Sequence, residues 1–382
     1  MKPTTYTYKL YPSRRNKHLH QLLEAARQTY NHCIKLYRRY YRLYHEKLPK
    51  QKLQCHLTKQ QKLLHYAYLR QLPSSIRNAI PYKIEKAYQS YFALLGKNKR
   101  AAPPCCCSQE AFTTITLYQS GWKLDEEHHR IRIGKTWYKY FRDRALPSKP
   151  KSVTLKRSPL GDFYLYFTCQ IPKQFIPFRK RKVIGLDYSM QDFLCGSDGN
   201  RISEPQFLRE SLAAIQKAAD SLAHKHSGSN NYQRAKKDLL RKYEKLKNQR
   251  SDFQWKLARK LVQDYTVVAI ESLDSQKLQK KFGHRIADYA LADFIKKLKY
   301  KAEETNTLIF EHHPYFASSQ TCSNCGHRNP QVKNMQVKTW ICPHCGAEHD
   351  RDTNAAINLA QHAMEILLRG GKQRMRTTSE QK

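Results

Sequence analysis

Val183-Ile184-Gly185-Leu186-Asp187 is an apolar run that ends on a carboxylate, and Val267-Val268-Ala269-Ile270-Glu271 repeats the pattern further along the chain. An apolar run of this length without alternation reads as a strand covered on both faces. A third acid, Asp352, opens a helical stretch in Asp350-Arg351-Asp352-Thr353-Asn354-Ala355-Ala356. The three acids lie far apart in sequence, so only tertiary folding can unite them.

Taken singly, each has a plain structural reading. An acid at a strand terminus is commonly where the chain meets water, and Asp352 suits a helix N-cap. Taken jointly, they are the hard oxygen ligands that two Mg²⁺ ions require for phosphodiester hydrolysis, one ion activating water and the other stabilising the leaving oxygen. Converged carboxylates repel one another until cations arrive. Asp350 reads as a supporting acid behind the third position or as surface charge.

Between the second and third acids stand Cys322-Ser-Asn-Cys325-Gly and Cys342-Pro-His-Cys345-Gly. Two Cys-x-x-Cys knuckles at this spacing fit a tetrahedral zinc ribbon with thiolates about 2.3 Å from the metal. Gly326 and Gly346 suit the turn that closes each knuckle. Four protein ligands leave no open position, so the single Zn²⁺ is structural, and two pairs count against a redox dithiol. His327, His344 and His349 are nearby but superfluous as ligands. Arg328, Lys333 and Lys338 make the ribbon surface basic.

The chain has 382 residues, with 70 Lys and Arg against 31 Asp and Glu, a formal charge of +39. Such an excess self-repels unless a polyanion neutralises it, and phosphate contacts do so by releasing counterions. An amphipathic anchor, a lipidation signal and a run of roughly 18 apolar residues are not found. The start, MKPTTYTYKLYPSRRNKHLH, shows no apolar signal-peptide region. The expectation is a soluble, cytoplasmic, nucleic-acid-binding protein of two or more domains, with no membrane partner. Eleven cysteines cannot all pair within one chain. In a reducing compartment they read as one metal site plus ordinary buried thiols.

Thr4 to Tyr11 alternate as a strand does. From about Ser13 the period changes, and Leu19, Leu22, Leu23, Ala26, Tyr30 and Ile34 trace an amphipathic helix. Helix continues to about Leu95, punctuated at Pro73, and Gly96 to Cys107 is a break carrying Cys105-Cys106-Cys107. Tyr30, Tyr37, Tyr40, Tyr41 and Tyr44 interleave with Lys35, Arg38, Arg39 and Arg42, suited to stacked bases and phosphates, with about half the tyrosines expected to pack inward. Phe112 to Pro172 has the texture of a small antiparallel barrel or sheet. A new unit starts near Arg181 and includes a hairpin turning at Ser197-Asp198-Gly199-Asn200. Charged helix over 206–264 is interrupted at Ser227-Gly228-Ser229-Asn230, another helix carries Leu291 and Leu298, and 307–313 is a strand. The last helix is expected from about Thr353 to Leu368, stopped by Gly370-Gly371.

Together these residues resemble the TnpB family, the insertion-sequence proteins related to type V CRISPR effectors. The resemblance runs from TYKLYPS through IGLDYSM, SDGN, VVAIESL and SSQTCSNCG to CPHCG and DRDTNAAINL. It implies a multidomain α+β protein, a RuvC-like RNase H fold nuclease domain with an inserted zinc ribbon and an N-terminal β-barrel wedge domain with an inserted helical recognition domain. The implied bounds are a wedge strand at 1–14, the recognition domain at 15–100 and the wedge barrel at 101–180. Nuclease follows at 181–314, a target-binding zinc ribbon at 315–349, the last nuclease helix at 350–370 and a basic disordered tail at 371–382. It implies Asp187, Glu271 and Asp352 as Mg²⁺ ligands, with Cys322, Cys325, Cys342 and Cys345 holding Zn²⁺. The implied partners are a guide RNA encoded near the gene and a double-stranded DNA target, with one protomer on the RNA. The guide supplies sequence by base pairing while protein contacts read a short flanking motif. A nuclease-silent RNA-guided repressor or transposition regulator is the alternative, against which the three retained acids count. A guide-free structure-selective nuclease leaves the basic amino-terminal half poorly explained, and no tyrosine-nucleophile context for a transposase is seen.

Overall fold

The computed structural model describes residues 2–97, 100–118, 121–171, 182–189, 192–203, 207–272, 290–313, 316–334 and 336–379. The boundaries expected at 180/181 and 314/315, and the last three residues of the tail, lie outside these. Two compact units divide the chain, Met1–Gln174 and Phe175–Lys382. None of the described helices is long and apolar enough to cross a membrane.

In the first unit, strand β1 (Lys2–Lys9) pairs antiparallel along its whole length with β7 (Phe163–Ile171). The four-stranded sheet has the order β1-β7-β6-β2, with β2 at Thr114–Leu117 and β6 at Ser152–Arg157. A separate three-stranded meander holds β3 (Trp122–Asp125), β4 (Arg130–Ile133) and β5 (Thr136–Lys139), and a single bridge from Leu10 to Tyr140 ties it to the end of β1. Between β1 and β2 the chain forms helices α1 (Asn16–Tyr44), α2 (Lys50–Gln60) and α3 (Ser74–Leu95). The buried stripe of α1 is Leu19, Leu22, Leu23, Ala26, Tyr30, Cys33, Ile34 and Tyr37. Its tyrosines divide as the 3.6-residue period requires: Tyr30 and Tyr37 are buried, whereas Tyr41 and Tyr44 are exposed.

The second unit is built on a five-stranded sheet of order β10-β9-β8-β11-β12. Its strands are β8 (Val183–Asp187), β9 (Leu194–Gly196), β10 (Arg201–Ile202), β11 (Val267–Glu271) and β12 (Leu308–His312). β8, β11 and β12 run parallel, and β9 and β10 fold back antiparallel through the Ser197–Asn200 turn. Parallel neighbours need long crossovers. Helices α4 (Phe207–Ala223) and α5 (Asn230–Asp264) lie between β10 and β11, and α6 (Leu291–Thr305) between β11 and β12. Ser229 caps α5 by accepting a hydrogen bond from the Tyr232 amide.

Both sheet faces are covered, which is why β8 and β11 are apolar up to their last residues. Ile184, Leu186, Val268 and Ile270 face α5 and α6, where Leu257, Leu261, Val262, Phe294 and Leu298 close the core. The alternate residues turn to the other face, where Ala269 meets Leu359 and Ala363 of the last helix, α7 (Arg351–Ser379).

Three expectations are corrected. α7 continues through Gly370-Gly371 to Ser379, so the residues after the glycines are helical rather than a disordered tail up to that point. Each glycine costs a helix only about 1 kcal/mol relative to Ala, too little to force a stop. The remaining thiols are not uniformly buried: Cys33, Cys169 and Cys195 are, but Cys55, Cys105 and Cys106 are exposed. Cys107 is clamped to α1, its N–H donating to Asn31 Oδ1 at 2.8 Å and its carbonyl accepting from Asn31 Nδ2 at 3.0 Å. Finally, it is Asp350 and not Asp352 that caps α7, accepting from the Thr353 amide at 2.9 Å and its hydroxyl at 2.8 Å.

Candidate active site and metal centre

Asp187 and Glu271 are the last residues of neighbouring parallel strands, and the register that pairs Leu186 with Ile270 sets them side by side. Both belong to the sheet face covered by α7, because they alternate with residues of the opposite core. α7 reaches that face where there is almost no side chain to hold it off. A Cβ on Gly185 would stand 1.9 Å from the Ala356 carbonyl oxygen and 2.8 Å from the Ala360 nitrogen. Ala355 and Ala356 are fully buried on the helix side. This close approach brings Asp352, one turn before Ala356, up to Asp187. The structure therefore assembles all three acids singled out in the sequence.

Asp187 and Asp352 are buried, and Glu271 is half-buried. Burial is the main cause that pushes the Asp187 carboxyl well above its usual range, and the negative charges of Glu271 and Asp352 add to it. Burial also raises Glu271. Arg351 opposes the rise at both. Asp352 is fixed by a hydrogen bond from Ser189 Oγ at 2.9 Å, and Lys338 Nζ lies 3.9 Å from the same carboxylate oxygen. Lys338 thus faces the acid cluster rather than only the ribbon surface. Arg201 joins Asp350 at 2.9 Å. Burial works to raise Asp350, but the Thr353 and Arg201 contacts outweigh it and hold this carboxyl low. It is an anchored cap, not a member of the cluster. Gly185, Ser189 and Arg351 carried no role in the sequence reading. Gly185 alone left a trace there, as an isolated glycine inside a strand, which marks close backbone approach.

Beside the cluster, His312 pairs in register with Glu271 and is buried. Its Nε2 donates to the Leu359 carbonyl at 3.0 Å, so its Nδ1 accepts from His362 Nδ1 at 3.1 Å. Burial and the His362 ring push the His312 imidazole down to about 4, although the Leu359 carbonyl works the other way. A depressed base binds fewer protons folded than unfolded, so its penalty begins as pH falls below the ordinary histidine range near 6.5 and is complete near 4. Wild type should lose about 2 kcal/mol more than His312→Gln between pH 7 and pH 5, at 1.36 kcal/mol per unit. Urea unfolding at the two pH values checks this, and equal slopes would contradict it.

The four cysteines form one group whose sulfurs all lie within 4.8 Å of one another. Cys322 and Cys345 are 3.7 Å apart, and Cys325 and Cys342 are 3.6 Å apart. Thiolates about 2.3 Å from a tetrahedral zinc have edges near these lengths, so the donor set fits that ion. Strands β13 (Thr339–Ile341) and β14 (Glu348–Asp350) pair behind the knuckles, and β14 runs directly into α7. Of the three histidines, His349 touches the group, its Nε2 being 3.0 Å from Cys322 Sγ, where it can donate to a thiolate. His327 and His344 stack on each other at 5.6 Å.

The first unit holds a cleft of about 1070 Å³ lined by Tyr11, Arg15, His128, Arg130, Trp137 and Phe141, among others. Tyr11 and Phe141 stack at 3.7 Å, and the Arg130 guanidinium lies 4.8 Å over the Trp137 ring. Cations interleaved with exposed rings are the chemistry that holds phosphates and stacks bases. Sequence reading placed that chemistry on the α1 tyrosines and missed this cleft, because its residues come from three separate segments.

Comparison with known proteins accords with this arrangement. The family described as "Probable transposase" (OrfB, IS605) matches residues 167–281, and the one described as "Cas12f1-like, TNB domain" matches residues 292–359. A Streptomyces pristinaespiralis protein with the description "Putative RNA-guided DNA endonuclease" is 27% identical over 317 residues, covering 79% of this chain and 75% of that protein. The Escherichia coli (strain K12) protein InsQ, similarly described, is 24% identical over 301 residues, 74% of this chain and 73% of its own length. The chain is similar to the TnpB family. The structure titled "Cryo-EM structure of the Cas12f1-sgRNA-target DNA complex" has 15% identity and a TM-score of 0.58, covering 92% of this chain and 83% of that one. At that identity the likeness is one of fold.

Proposed function

We propose that this protein is an RNA-guided DNA endonuclease of a transposable element with a single RuvC-like site. The observation that carries the proposal is the convergence of Asp187, Glu271 and Asp352 from β8, β11 and α7 on one covered face of the second unit. The sheet order, with one antiparallel hairpin beside three parallel strands, supports an RNase H-like reading. On this reading 1–14 and 101–180 form the wedge and 15–100 the recognition domain. Residues 181–314 and 350–370 form the nuclease, and 315–349 bind target nucleic acid. The descriptions of the relatives support a guide RNA and a DNA target as partners, and on this reading the target is double-stranded.

The three carboxylates would hold divalent ions, Mg²⁺ in the cell, which supply water activation and charge stabilisation at the scissile phosphate. The residues of the chain prepare that site. Ser189 fixes the Asp352 carboxylate, the close packing of α7 on β8 buries Asp187 and Asp352, and Arg351 offsets part of the repulsion at Asp187 and Glu271. Cys322, Cys325, Cys342 and Cys345 would hold one structural Zn²⁺. The cations of the first unit would hold the guide RNA, itself encoded near the gene, with one protomer per RNA and the complex on the nucleoid.

Asp187→Ala, expressed with its native downstream DNA and purified in high salt, should retain one discrete structured RNA ending in a variable segment. Sequencing the retained nucleic acid reads this out. Bare protein, or a smear of unrelated fragments, would turn the assignment to an unguided nuclease.

A further inference from the structure

We propose that the cysteine module is what holds Asp352 in place, acting through Asn354 and Asn358 as positioning residues. The proposal rests on the reading of Asp352 as a metal ligand. Asn354 and Asn358 are one helical turn apart, so both point from the same side of α7. That side faces the module, while Ala355, Ala356 and Leu359 face the sheet. Asn354 Nδ2 donates to the Thr321 carbonyl at 2.8 Å, and its Oδ1 accepts from the Ser323 amide at 2.9 Å. Asn358 Nδ2 donates to the carbonyls of Thr321 at 2.7 Å and Ser318 at 2.8 Å. Both asparagines are buried, and Thr321 and Ser323 flank Cys322, the first knuckle cysteine.

The start of α7 is therefore held on two sides by the module. The Asn354 and Asn358 bonds fix it from the Cys322 loop. β14 fixes it covalently, with Asp350 as both strand end and helix cap and the Arg351 amide donating to the Lys338 carbonyl at 2.8 Å. Among the described residues the module's buried apolar cluster is Cys322, Val332, Trp340 and Cys342, with Val337 packed against it. So small a core does not fold without its metal. Zinc at the cysteines then determines whether the Thr321 and Ser323 backbone groups are in place to receive the asparagines. If they are not, two buried amides lose their partners and the first turns of α7, with Asp352, are free to shift. Outer-shell partners of this type tune metal affinity without touching the metal.

The test uses the full chain and two readouts that need no DNA cleavage: hydrogen exchange of the α7 amides over 352–358, and Mn²⁺ binding by calorimetry. Asn354→Ala should keep one zinc per chain, exchange faster over 352–358 and bind Mn²⁺ about tenfold more weakly. Cys322→Ser should do the same without zinc. The double variant should do no more than Cys322→Ser, because both substitutions break one link. Stripping zinc from wild type with a zinc-selective chelator repeats the experiment without any substitution. Exchange over 352–358 indifferent to zinc, or effects that add in the double variant, would overturn the proposal. Coupled exchange together with equal Mn²⁺ binding by wild type and Asp352→Asn would support the latch and sink the ligand reading of Asp352 instead.

Discussion

Asp187→Asn should abolish Mg²⁺-dependent cleavage, by a factor on the order of 10⁴, and raise the melting temperature of the metal-free protein at neutral pH. The two effects have one cause. Asp187 is buried with Glu271 and Asp352 as charged neighbours, so its folded-state pKa is raised. A carboxyl of that kind contributes stability that is present below the ordinary carboxylate range and lost as pH rises through the raised value. Above the ordinary carboxylate range the metal-free fold therefore loses stability that the amide does not lose. Glu271, also raised, works in the same direction. Wild type should be stabilised by added Mg²⁺ because the ions bind only the folded arrangement, and Asp187→Asn much less so. Thermal melts of both proteins from pH 5 to pH 8, with and without Mg²⁺, check this. A metal-free Asp187→Asn that melts below wild type across that range would show that the carboxylate is a structural partner rather than a restrained ligand.

Gly185→Ala should be nearly as damaging, although the methyl touches no reacting group. The new Cβ would lie 1.9 Å from the Ala356 carbonyl oxygen and 2.9 Å from its carbon, both backbone atoms of a helix packed on the strand. Backbone cannot swing aside as a flexible side chain can, so α7 or β8 has to move. Overpacking of this kind costs about 1–3 kcal/mol or more. Asp187 is two residues along β8 and Asp352 one turn back along α7, so a shift large enough to clear the methyl separates the two acids. A displacement near 1 Å is worth roughly 10²-fold in rate. Cleavage should fall by about that factor, with RNA retention unchanged because the first unit is untouched. Cleavage within twofold of wild type, at unaltered stability, would refute the close-approach account.

Much of the second unit was legible in its residues. The uninterrupted apolar texture of 183–187 and 267–271 signalled strands covered on both sides, and the Ser197–Asn200 turn marked the hairpin that lies beside β8. Spacing alone grouped Cys322, Cys325, Cys342 and Cys345, because a Cys-x-x-Cys turn brings two sulfurs together wherever it occurs. Where reading failed, local signals competed with unseen packing. Gly370-Gly371 looked like a terminus but lies within α7. Asp352 looked suited to the cap, which Asp350 takes because β14 delivers that residue to the end of the helix.

By itself, then, the sequence determined the elements, their periodicity, the excess of positive charge and the residue types able to hold metal, since each depends on neighbours within a few positions. Only the tertiary structure decided which acids meet, which asparagines tie α7 to the cysteine module, and that a missing side chain at Gly185 sets the spacing. Those outcomes depend on contacts between segments far apart in the chain. Their distances are set by how two buried surfaces close on each other, which no local pattern records.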